Sequence, residues 1–331
     1  MDYNIVVVGA SGQVGAQVVK ELEARTFPVK QLLAFASKNS IAESVEFLGE
    51  EIAVQALESS AFAGADIVFF CAPAHVTREY LPIASQAGAF CIDLSRASLG
   101  ERAIPCIVPE LSSTALLKSL NTVTNPPVAA IQAALVLAPL QAELGLKRVS
   151  LTVLQSASAL GRNGVEALRK QNGALLNGRP LENNTVVADA PSQLALNLAP
   201  ANAGGESYSS ADEIRTTLLR VLADADIDLQ VEVVQVPVFY ANGLSLMCQF
   251  DAEVDEAQVF SMLQKQQGVE MLGSAQHDTC GTNIAPEYDA IAACVTQVGQ
   301  NGHLNLWSVV DNLRKGSALN AVQIAELYIA E

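Results

Sequence analysis

The amino-acid sequence predicts a two-domain α/β protein, in which a doubly wound parallel sheet precedes an α+β domain with an antiparallel sheet. The first half alternates short apolar runs with helix-like stretches, which is the pattern of βαβ units. The second half contains segments that alternate apolar and polar residues, as half-buried antiparallel strands do. The length of 331 residues is that of two ordinary domains.

The first half begins with an apolar run over residues 4–8, which is typical of a strand buried on both faces of a parallel sheet. A glycine-rich turn follows this run and leads into a predicted helix. Right-handed crossovers are expected to connect the parallel strands. The remaining elements are predicted as a helix over 16–25, strands over 32–36, 67–72 and 90–94, and a helix over 76–87.

The second half is predicted to combine an antiparallel sheet with several helices. Residues 183–202 are polar and rich in Ala and Pro, so we expect a long surface connection there. Residues 311–329 predict a final long helix. The other predicted elements are strands over 149–155, 229–238 and 244–250, and helices over 164–176, 212–222 and 256–266.

The composition excludes several classes of protein. Half of the residues are apolar and 16% are charged, which excludes a disordered chain. The 19 basic and 35 acidic residues give a net charge of −16, which repels nucleic acid and anionic membranes. The apolar stretch 128–140 is too short to span a membrane and contains Gln132 and Pro139. We therefore predict a cytoplasmic protein with no nucleic-acid partner and no membrane partner, and expect a small-molecule ligand.

Cysteine and histidine usage limits the chemistry that the chain offers. The six cysteines are scattered without a Cys-x-x-Cys pair, which indicates thiols rather than disulfides. The three histidines are not spaced as metal ligands, so we predict no metal site. Cys71 lies at the carboxyl end of a predicted strand, and His75 comes four residues later, which suggests an activated thiol. The alternative is a buried small side chain beside a surface histidine.

The glycine-rich turn predicts a dinucleotide site. Gly9, Gly12 and Gly15 lie between a predicted strand and a predicted helix, where glycines allow a tight turn and the close approach of a pyrophosphate. The N-terminus of the following helix attracts phosphate whatever the net charge of the chain. The alternative is a tight turn without a ligand. The predicted cofactor-binding residues of this turn are Gly9, Ala10, Ser11, Gly12, Gln13 and Val14.

The end of the second predicted strand indicates which dinucleotide binds. A site for NAD usually has an acidic residue there to bond the ribose hydroxyls. This chain has Ala36-Ser37-Lys38-Asn39-Ser40 and no acid. The hydroxyl of Ser37 and the ammonium of Lys38 suit a 2′-phosphate, so NADP (NADPH) is the predicted cofactor. The alternative is that Lys38 is a solvated surface lysine.

Further motifs follow one another along nearly the whole chain. They are NIVVVGASGQVG at 4–15, the turn at 37–40, IDLS at 92–95, IVPEL at 107–111, SQLALNLAP at 192–200, QVPVFYANG at 235–243 and LNLWSVVDNLRKGSALNAVQIAE at 304–326. In this order they resemble the aspartate-semialdehyde dehydrogenase family. The resemblance implies an α/β Rossmann-like NAD(P)-binding domain plus an α+β antiparallel-sheet dimerisation domain, similar to the C-terminal domain of glyceraldehyde-3-phosphate dehydrogenase, and a homodimer. The expected domains are residues 1–127 with a returning helix at 312–331, and residues 128–311.

That family belongs to amino-acid biosynthesis and reduces an aspartyl phosphate to the semialdehyde with NADPH, releasing phosphate. The resemblance implies an oxidoreductase in which a cysteine forms a thioester, a histidine is acid and base, and arginines hold the substrate carboxylate and the phosphate. The family motif Asn-Pro-Asn-Cys-Ser-Thr reads Asn125-Pro126-Pro127-Val128-Ala129-Ala130 here. Valine has no lone pair, so Val128 excludes covalent catalysis at this position.

At three further positions, the residue that the family uses for catalysis or substrate binding is replaced in this sequence. The arginine and histidine of Arg-Val-Pro-Val-x-x-Gly-His-Ser are Gln235 and Asn242 here, which supply neither a bidentate cation nor a titrating base. The phosphate-binding arginine is replaced by Leu99, although Arg96 stands nearby as a substitute. We predict a pseudoenzyme that retains NADP binding and dimerisation, similar to the cysteine-less Usg-type paralogues of this family.

Two alternatives keep catalysis. The chain is then an active NADP-dependent aldehyde or semialdehyde oxidoreductase with altered catalytic residues, or a true family enzyme with a relocated nucleophile such as Cys71. Gln155 matches a family glutamine that contacts substrate, and Asn125 is assigned to the same pocket, so part of the pocket is expected to persist. Asn312 matches a family residue near the nicotinamide, and the alternative is helix capping by Asp311 and Asn312.

Overall fold

The computed structural model describes residues 2–37, 43–181, 187, 190–205, 208–224, 226–273 and 279–330. Within these residues the chain forms two compact units, Met1–Pro126 with Ser317–Glu331, and Pro127–Gly316. The first is a Rossmann-like α/β unit and the second is an α+β unit, which confirms the predicted fold class. Lys38 and His277 lie outside the described residues.

The first unit is built on one largely parallel sheet. Its strands are β1 (Tyr3–Val8), β2 (Val29–Ala36), β3 (Ser44–Phe47), β4 (Glu50–Ala56), β5 (Ile67–Phe70), β6 (Phe90–Asp93) and β7 (Thr122–Thr124). Among the described residues they follow the order β3-β4-β2-β1-β5-β6-β7, and β3 with β4 is the antiparallel pair. The chain continues from β1 to β2 on one side, while β5 lies on the other side. The carboxyl end of β1 is therefore the topological switch point.

Helices cover both faces of this sheet. They are α1 (Gln13–Ala24), α2 (Ala74–Gln86), α3 (Thr114–Leu117) and, at the end of the chain, α8 (Leu319–Ile329). Ile5 and Val7 of β1 pack into a core with α1 and α8, whereas Val6 and Val8 pack into a second core with α2. The continuous apolar run of β1 follows from this arrangement, because both faces of the strand are buried.

The second unit is built on a mixed sheet. Its strands are β8 (Leu146–Gln155), β9 (Ala199–Pro200), β10 (Asp228–Gln235), β11 (Asn242–Phe250), β12 (Val269–Met271), β13 (Ile291–Val298) and β14 (His303–Val310). Their order among the described residues is β12-β13-β14-β11-β8-β10-β9. The centre is antiparallel as predicted, but β8 pairs with β10, and β12 with β13, in parallel. The alternation of apolar and polar residues shows which side chains of a strand are exposed. It does not show whether the strand pairs in a parallel or an antiparallel direction.

Among its described residues, the second unit contains four helices. They are α4 (Val128–Leu144), α5 (Gly161–Leu176), α6 (Ala211–Val221) and α7 (Glu256–Lys265). Of these, α4, α6 and α7 pack against its sheet. α4 packs against β8, β11 and β13 and is apolar around most of its circumference. The amide of Gln132 in its interior donates to Ser308 Oγ over 3.0 Å, which satisfies a buried donor. Within the described residues, no helix combines the length and the apolar character needed to cross a membrane.

Two predicted segments differ from the structure. The final helix was predicted from residue 311, but α8 begins at Leu319. Asp311 Oδ1 accepts the N–H groups of Leu313 at 2.9 Å and Arg314 at 3.0 Å, so residues 311–314 form a turn, and a π-helical turn over Arg314–Ala318 follows. The predicted connection over 183–202 lies partly outside the described residues, and its end contains β9.

Candidate functional site

The glycine-rich turn between β1 and α1 is closely packed. Gly9 has a φ of +86°, and a Cβ at this position would lie 2.7 Å from the carbonyl group of Cys71 and from the nitrogen of Ala72. A Cβ on Gly15 would lie 2.2 Å from the carbonyl oxygen of Gly9. Neither position has room for a side chain, which explains two of the three glycines that the sequence places here.

The turn ends at the N-terminus of α1, with Gly12 as the N-cap residue. No side chain caps this end of the helix, and its first turn contains no acidic residue. The positive end of the helix dipole therefore has no anionic partner in its own first turn. A ligand anion could bind there, close to the first N–H groups of the helix. This geometry suits a phosphate or pyrophosphate group.

A cavity of about 490 Å³ opens at the carboxyl ends of β1, β2 and β5. This is the position at which open α/β sheets bind nucleotides, and the volume is that of a small-molecule site. Ala10 lies in the hydrophobic core, and Gln13 and Val14 form the first turn of α1. The predicted cofactor residues that line the cavity together are Gly9, Ser11, Gly12 and Ser37.

Cys71 and His75 also line this cavity, but the structure does not support an activated thiol. Burial raises the pKa of the Cys71 thiol, and the nearby carboxylate of Asp93 raises it further. The thiolate is the nucleophilic form, so both effects make Cys71 a weak nucleophile at neutral pH. His75 is exposed on the first turn of α2. This arrangement favours a small, partly buried side chain beside a surface histidine.

Asp93 organises the loop that follows β6. Its buried carboxylate accepts the backbone N–H and hydroxyl of Ser95, at 2.7 and 2.6 Å, and those of Ser98, at 2.8 and 2.6 Å. Arg96, between them, has a φ of +68° and is partly buried. Leu99, which stands at the predicted phosphate position, is 7% exposed. A buried leucine side chain offers nothing to a phosphate dianion.

Val128 is the first residue of α4, and Pro127 is its N-cap. A helix N-terminus is a place where a thiolate is stabilised. Here the position carries methyl groups instead, and they pack against the backbone of Gly316. A Cβ on Gly316 would lie 2.5 Å from Val128 Cγ1. The end of this helix is thus an aliphatic contact within the second unit.

Gln155 and Gln235 bond to each other. They are the last residues of β8 and β10 and lie directly opposite in the parallel register. Gln155 Nε2 donates to Gln235 Oε1 over 3.1 Å, and Gln235 Nε2 donates to the carbonyl oxygen of Gln155 over 3.0 Å. Both residues are buried, with 4% of Gln155 and 3% of Gln235 exposed. The residue at the predicted position of the substrate arginine is therefore neutral, and its side chain is hydrogen-bonded by its neighbour.

Asn242 and Asn312 are two further buried amides, and each is hydrogen-bonded to other residues of the second unit. Asn242 Oδ1 accepts the backbone N–H of Ser156 over 3.3 Å. Asn312 Oδ1 accepts the N–H of Ala241 over 2.9 Å, and its Nδ2 donates to Ser158 Oγ over 2.9 Å. Helix capping falls to Asp311 and not to Asn312. Asn312 holds the backbone that leads into Asn242, which is a positioning role within the second unit.

Asn125 lies in the first unit, where its side chain is also engaged. Asn320 Nδ2 donates to Asn125 Oδ1 over 2.7 Å and to the carbonyl oxygen of Ile107 over 3.2 Å. Both asparagines are buried. Sequence reasoning did not single out Asn320, nor Ser156 and Ser158 in the second unit. A polar residue within an apolar helical pattern was the available signal for Asn320.

Comparison with known proteins gives the same family for both units. The family model "Semialdehyde dehydrogenase, NAD binding domain" matches residues 4–119, and "Semialdehyde dehydrogenase, dimerisation domain" matches residues 137–315. The chain is similar to the "USG-1 protein homolog" of Azotobacter vinelandii, with 36% identity over 99% of this chain and 98% of that protein.

Two further comparisons involve Vibrio cholerae. The chain is 31% identical to its "Aspartate-semialdehyde dehydrogenase 2", over 99% of this chain and 98% of that protein. The crystal structure of aspartate semialdehyde dehydrogenase II from the same organism superposes with a TM-score of 0.91, at 31% identity and 99% coverage of each chain. Sequence and fold thus agree over essentially the full length of both proteins.

Proposed function

The chain belongs to the aspartate-semialdehyde dehydrogenase family, and we propose that it is a member that binds NADP and dimerises but does not catalyse the family's reaction. The bonded pair of Gln155 and Gln235 carries this proposal. It occupies the place of a substrate cation with two neutral amides that satisfy one another. A substrate carboxylate finds no positive charge there and would have to break an existing hydrogen bond.

The loss of charge has a large expected cost. A hydrogen bond to a charged group contributes about 1.5–3 kcal/mol, and a bidentate arginine supplies two. Gln235 and Leu99 remove this contribution at both predicted anion positions, and the net charge of −16 adds no compensating attraction. Weak binding of an aspartyl phosphate is expected unless the partly buried Arg96 replaces the cation at the phosphate position.

The chemical step is absent for separate reasons. Val128 presents only methyl groups at the head of α4, so no thioester forms there. Asn242 is an amide that does not titrate near neutral pH, and its oxygen is bonded to Ser156. Cys71 is a poor replacement nucleophile because burial and Asp93 raise its pKa. A different residue thus accounts for the loss of each catalytic group: the nucleophile, the base and the replacement nucleophile.

The cofactor site supports nucleotide binding. The first unit matches an NAD-binding domain, and its packed glycine turn, uncapped helix and cavity suit a pyrophosphate. If a dinucleotide occupies the cavity, it supplies a hydride carrier, while this chain's residues position its phosphates. Ser37 lies exposed at the end of β2 on the wall of the cavity, and the sequence from Ala36 to Ser40 contains no acidic residue. NADP is preferred over NAD on this ground.

The second unit offers a surface for a homodimer. The helices α4, α6 and α7 pack on one face of its sheet, where Leu244 and Leu246 are fully buried. Met247 points to the opposite face and is 55% exposed, opposite Ser150 and Asn305 in the neighbouring strands. A half-exposed sheet face of this kind is covered in many dimers by a second copy. The family model of this unit is that of a dimerisation domain.

Three measurements test the proposal. Calorimetric titration should give binding of NADPH that is tighter than binding of NADH. Oxidation of aspartate semialdehyde with NADP and phosphate should be undetectable, with the Vibrio cholerae enzyme as the working control. Light scattering should give a dimer that Met247→Asp weakens. No heat with NADPH would remove the cofactor claim, and turnover close to that of the control would overturn the assignment as a non-catalytic member.

A further inference from the structure

The cavity at the carboxyl ends of β1, β2 and β5 contains one side chain of a type that gains a positive charge near neutral pH. This side chain is His75, on the exposed first turn of α2. The other described residues that line the cavity include no acidic residue, no lysine and no arginine. An imidazole changes its charge between about pH 5 and 8. The described wall of the cavity is therefore either neutral or cationic, and His75 decides which.

The fold brings the start of α2 and the end of β2 to the same cavity. α2 packs against the 3-10 turn Ser59–Phe62, which follows β4. Leu57, just after β4, and Val76, next to His75, pack into one apolar core on this face of the sheet. β4 is the neighbour of β2 in the sheet, and Ser37 at the end of β2 lines the cavity together with these residues. A single nucleotide in the cavity therefore meets both Ser37 and His75.

α2 presents its positive end to this cavity. Its N-cap residue is Pro73, no side chain caps this end of the helix, and the first turn contains no acidic residue. The helix dipole and a protonated His75 therefore both attract an anion. The pyrophosphate of a dinucleotide is assigned to the turn at Gly12 and the start of α1. NADP carries one further anion, its 2′-phosphate, and this is the group left for His75 and Ser37.

We propose that His75, in its protonated form, binds the 2′-phosphate of NADP together with the hydroxyl of Ser37, so that acidification strengthens the preference of this chain for NADP over NAD. The inference rests on the proposed binding of NADP to the first unit. A hydrogen bond from an imidazolium to a phosphate is charge-assisted, whereas a neutral imidazole offers a weaker one. NAD has a hydroxyl in place of this phosphate and gains little from the charge.

The other ionisable groups around α2 do not account for such a pH dependence. Burial raises the pKa of the thiols of Cys71 and Cys91, so neither ionises near neutral pH. Carboxylic acids, phenols and guanidinium groups ordinarily keep one charge state between about pH 6 and 8. Among the described residues of α2 and of the elements packed against it, the side chains of these types are Arg78, Glu79, Tyr80 and Asp93, with Glu58 at the start of the 3-10 turn.

The test is calorimetric titration of the full chain with oxidised NADP and NAD, at about pH 6 and at about pH 8. The wild type is compared with His75→Asn at the same pH, because the 2′-phosphate itself takes up a proton near pH 6. At the lower pH we expect the wild type to bind NADP roughly fivefold more tightly than the variant, and at the higher pH within about twofold. Binding of NAD should be equal in the two proteins at both pH values.

Two further variants complete the comparison. His75→Lys carries a charge at both pH values, so its advantage over His75→Asn for NADP should be as large at the higher pH as at the lower. His303 is an exposed histidine on β14 of the second unit, and His303→Asn is the matched control that should change no affinity. Thermal unfolding of each variant shows that it is folded. His75→Lys decides the question even if His75→Asn folds poorly.

The outcomes separate this inference from the proposed function. Equal affinity of the wild type and His75→Asn for NADP at the lower pH would overturn the role of His75, although NADP would still bind. An equal loss of affinity for NADP and NAD would also overturn it, because His75 would then act on a part that both dinucleotides share. No heat with NADP in any of the proteins would overturn both the inference and the proposed cofactor.

Discussion

Gly15→Ala tests whether the turn between β1 and α1 is as closely packed as the structure has it. The new Cβ would lie 2.2 Å from the carbonyl oxygen of Gly9 and 2.8 Å from Ala10 Cα, so the turn or the helix start has to move. Overpacking of this kind costs about 1–3 kcal/mol. For a unit of this size, 2 kcal/mol lowers Tm by roughly 6 °C. The displaced amides should also weaken NADPH binding at least tenfold.

Gly12→Ala is the matched control for that change. Its Cβ would lie 3.3 Å from the Gly9 oxygen, and the backbone φ of −74° is accessible to alanine. The N-cap substitution costs about 0.5–1 kcal/mol, so Tm should fall little. Its methyl group enters the cavity wall, so NADPH affinity should still fall. Calorimetric titration and thermal unfolding separate the two effects. Unchanged Tm and affinity in Gly15→Ala would refute the packing argument, and unchanged affinity in Gly12→Ala would refute the pyrophosphate position.

Three further outcomes are expected. Val128→Cys alone should leave oxidation of aspartate semialdehyde undetectable, because Gln235 and Asn242 still supply no cation and no base; turnover after this single change would contradict their assignment. Gly243→Ala should change the fluorescence of the single tryptophan, since the new Cβ would lie 3.1 Å from its ring; an unaltered spectrum would show that the ring does not cover this glycine. Burial raises the pKa of Cys248 from 9.0 to about 12, so the neutral thiol stabilises the fold below pH 9, and this contribution is lost as the pH rises towards 12. Cys248→Ala should therefore lose stability less steeply over that range in urea titrations.

Local patterns were enough to predict the β1–turn–α1 unit and the central strands of the first unit. The apolar run of β1, the glycine turn and the start of α1 are adjacent in sequence, and each has a local physical cause. β3 and β4 were missed because they are short and largely exposed on at least one side. The helix α4 was not predicted, since an apolar stretch without periodicity indicates burial but not secondary structure.

The sequence proposed the residues of the candidate site but could not predict their contacts. Comparison of motifs alone proposed Val128, Gln235 and Asn242 as site positions. The bond between Gln155 and Gln235 depends on the parallel register of β8 and β10, which places residues 80 positions apart side by side. The raised pKa of Cys71 likewise depends on burial and on Asp93, which belongs to a neighbouring strand. Tertiary pairing of this kind leaves no local trace in the sequence.

Gln235 and Asn242, which we propose replace catalytic groups of the family, share one property: each buried amide has a hydrogen-bond partner. Removal of one member of a buried polar pair leaves its partner unsatisfied, at a cost of about 1–3 kcal/mol. Here the amide of Gln235 is bonded to Gln155, and the amide oxygen of Asn242 accepts the N–H of Ser156. If Gln235 and Asn242 stand at catalytic positions of the family, as we propose, each of these two amides keeps the interior hydrogen-bonded without a charge. Such a neutral site does not bear the cost of holding a buried cation. On the proposed function, this arrangement suits a chain that is maintained for binding and assembly rather than for catalysis.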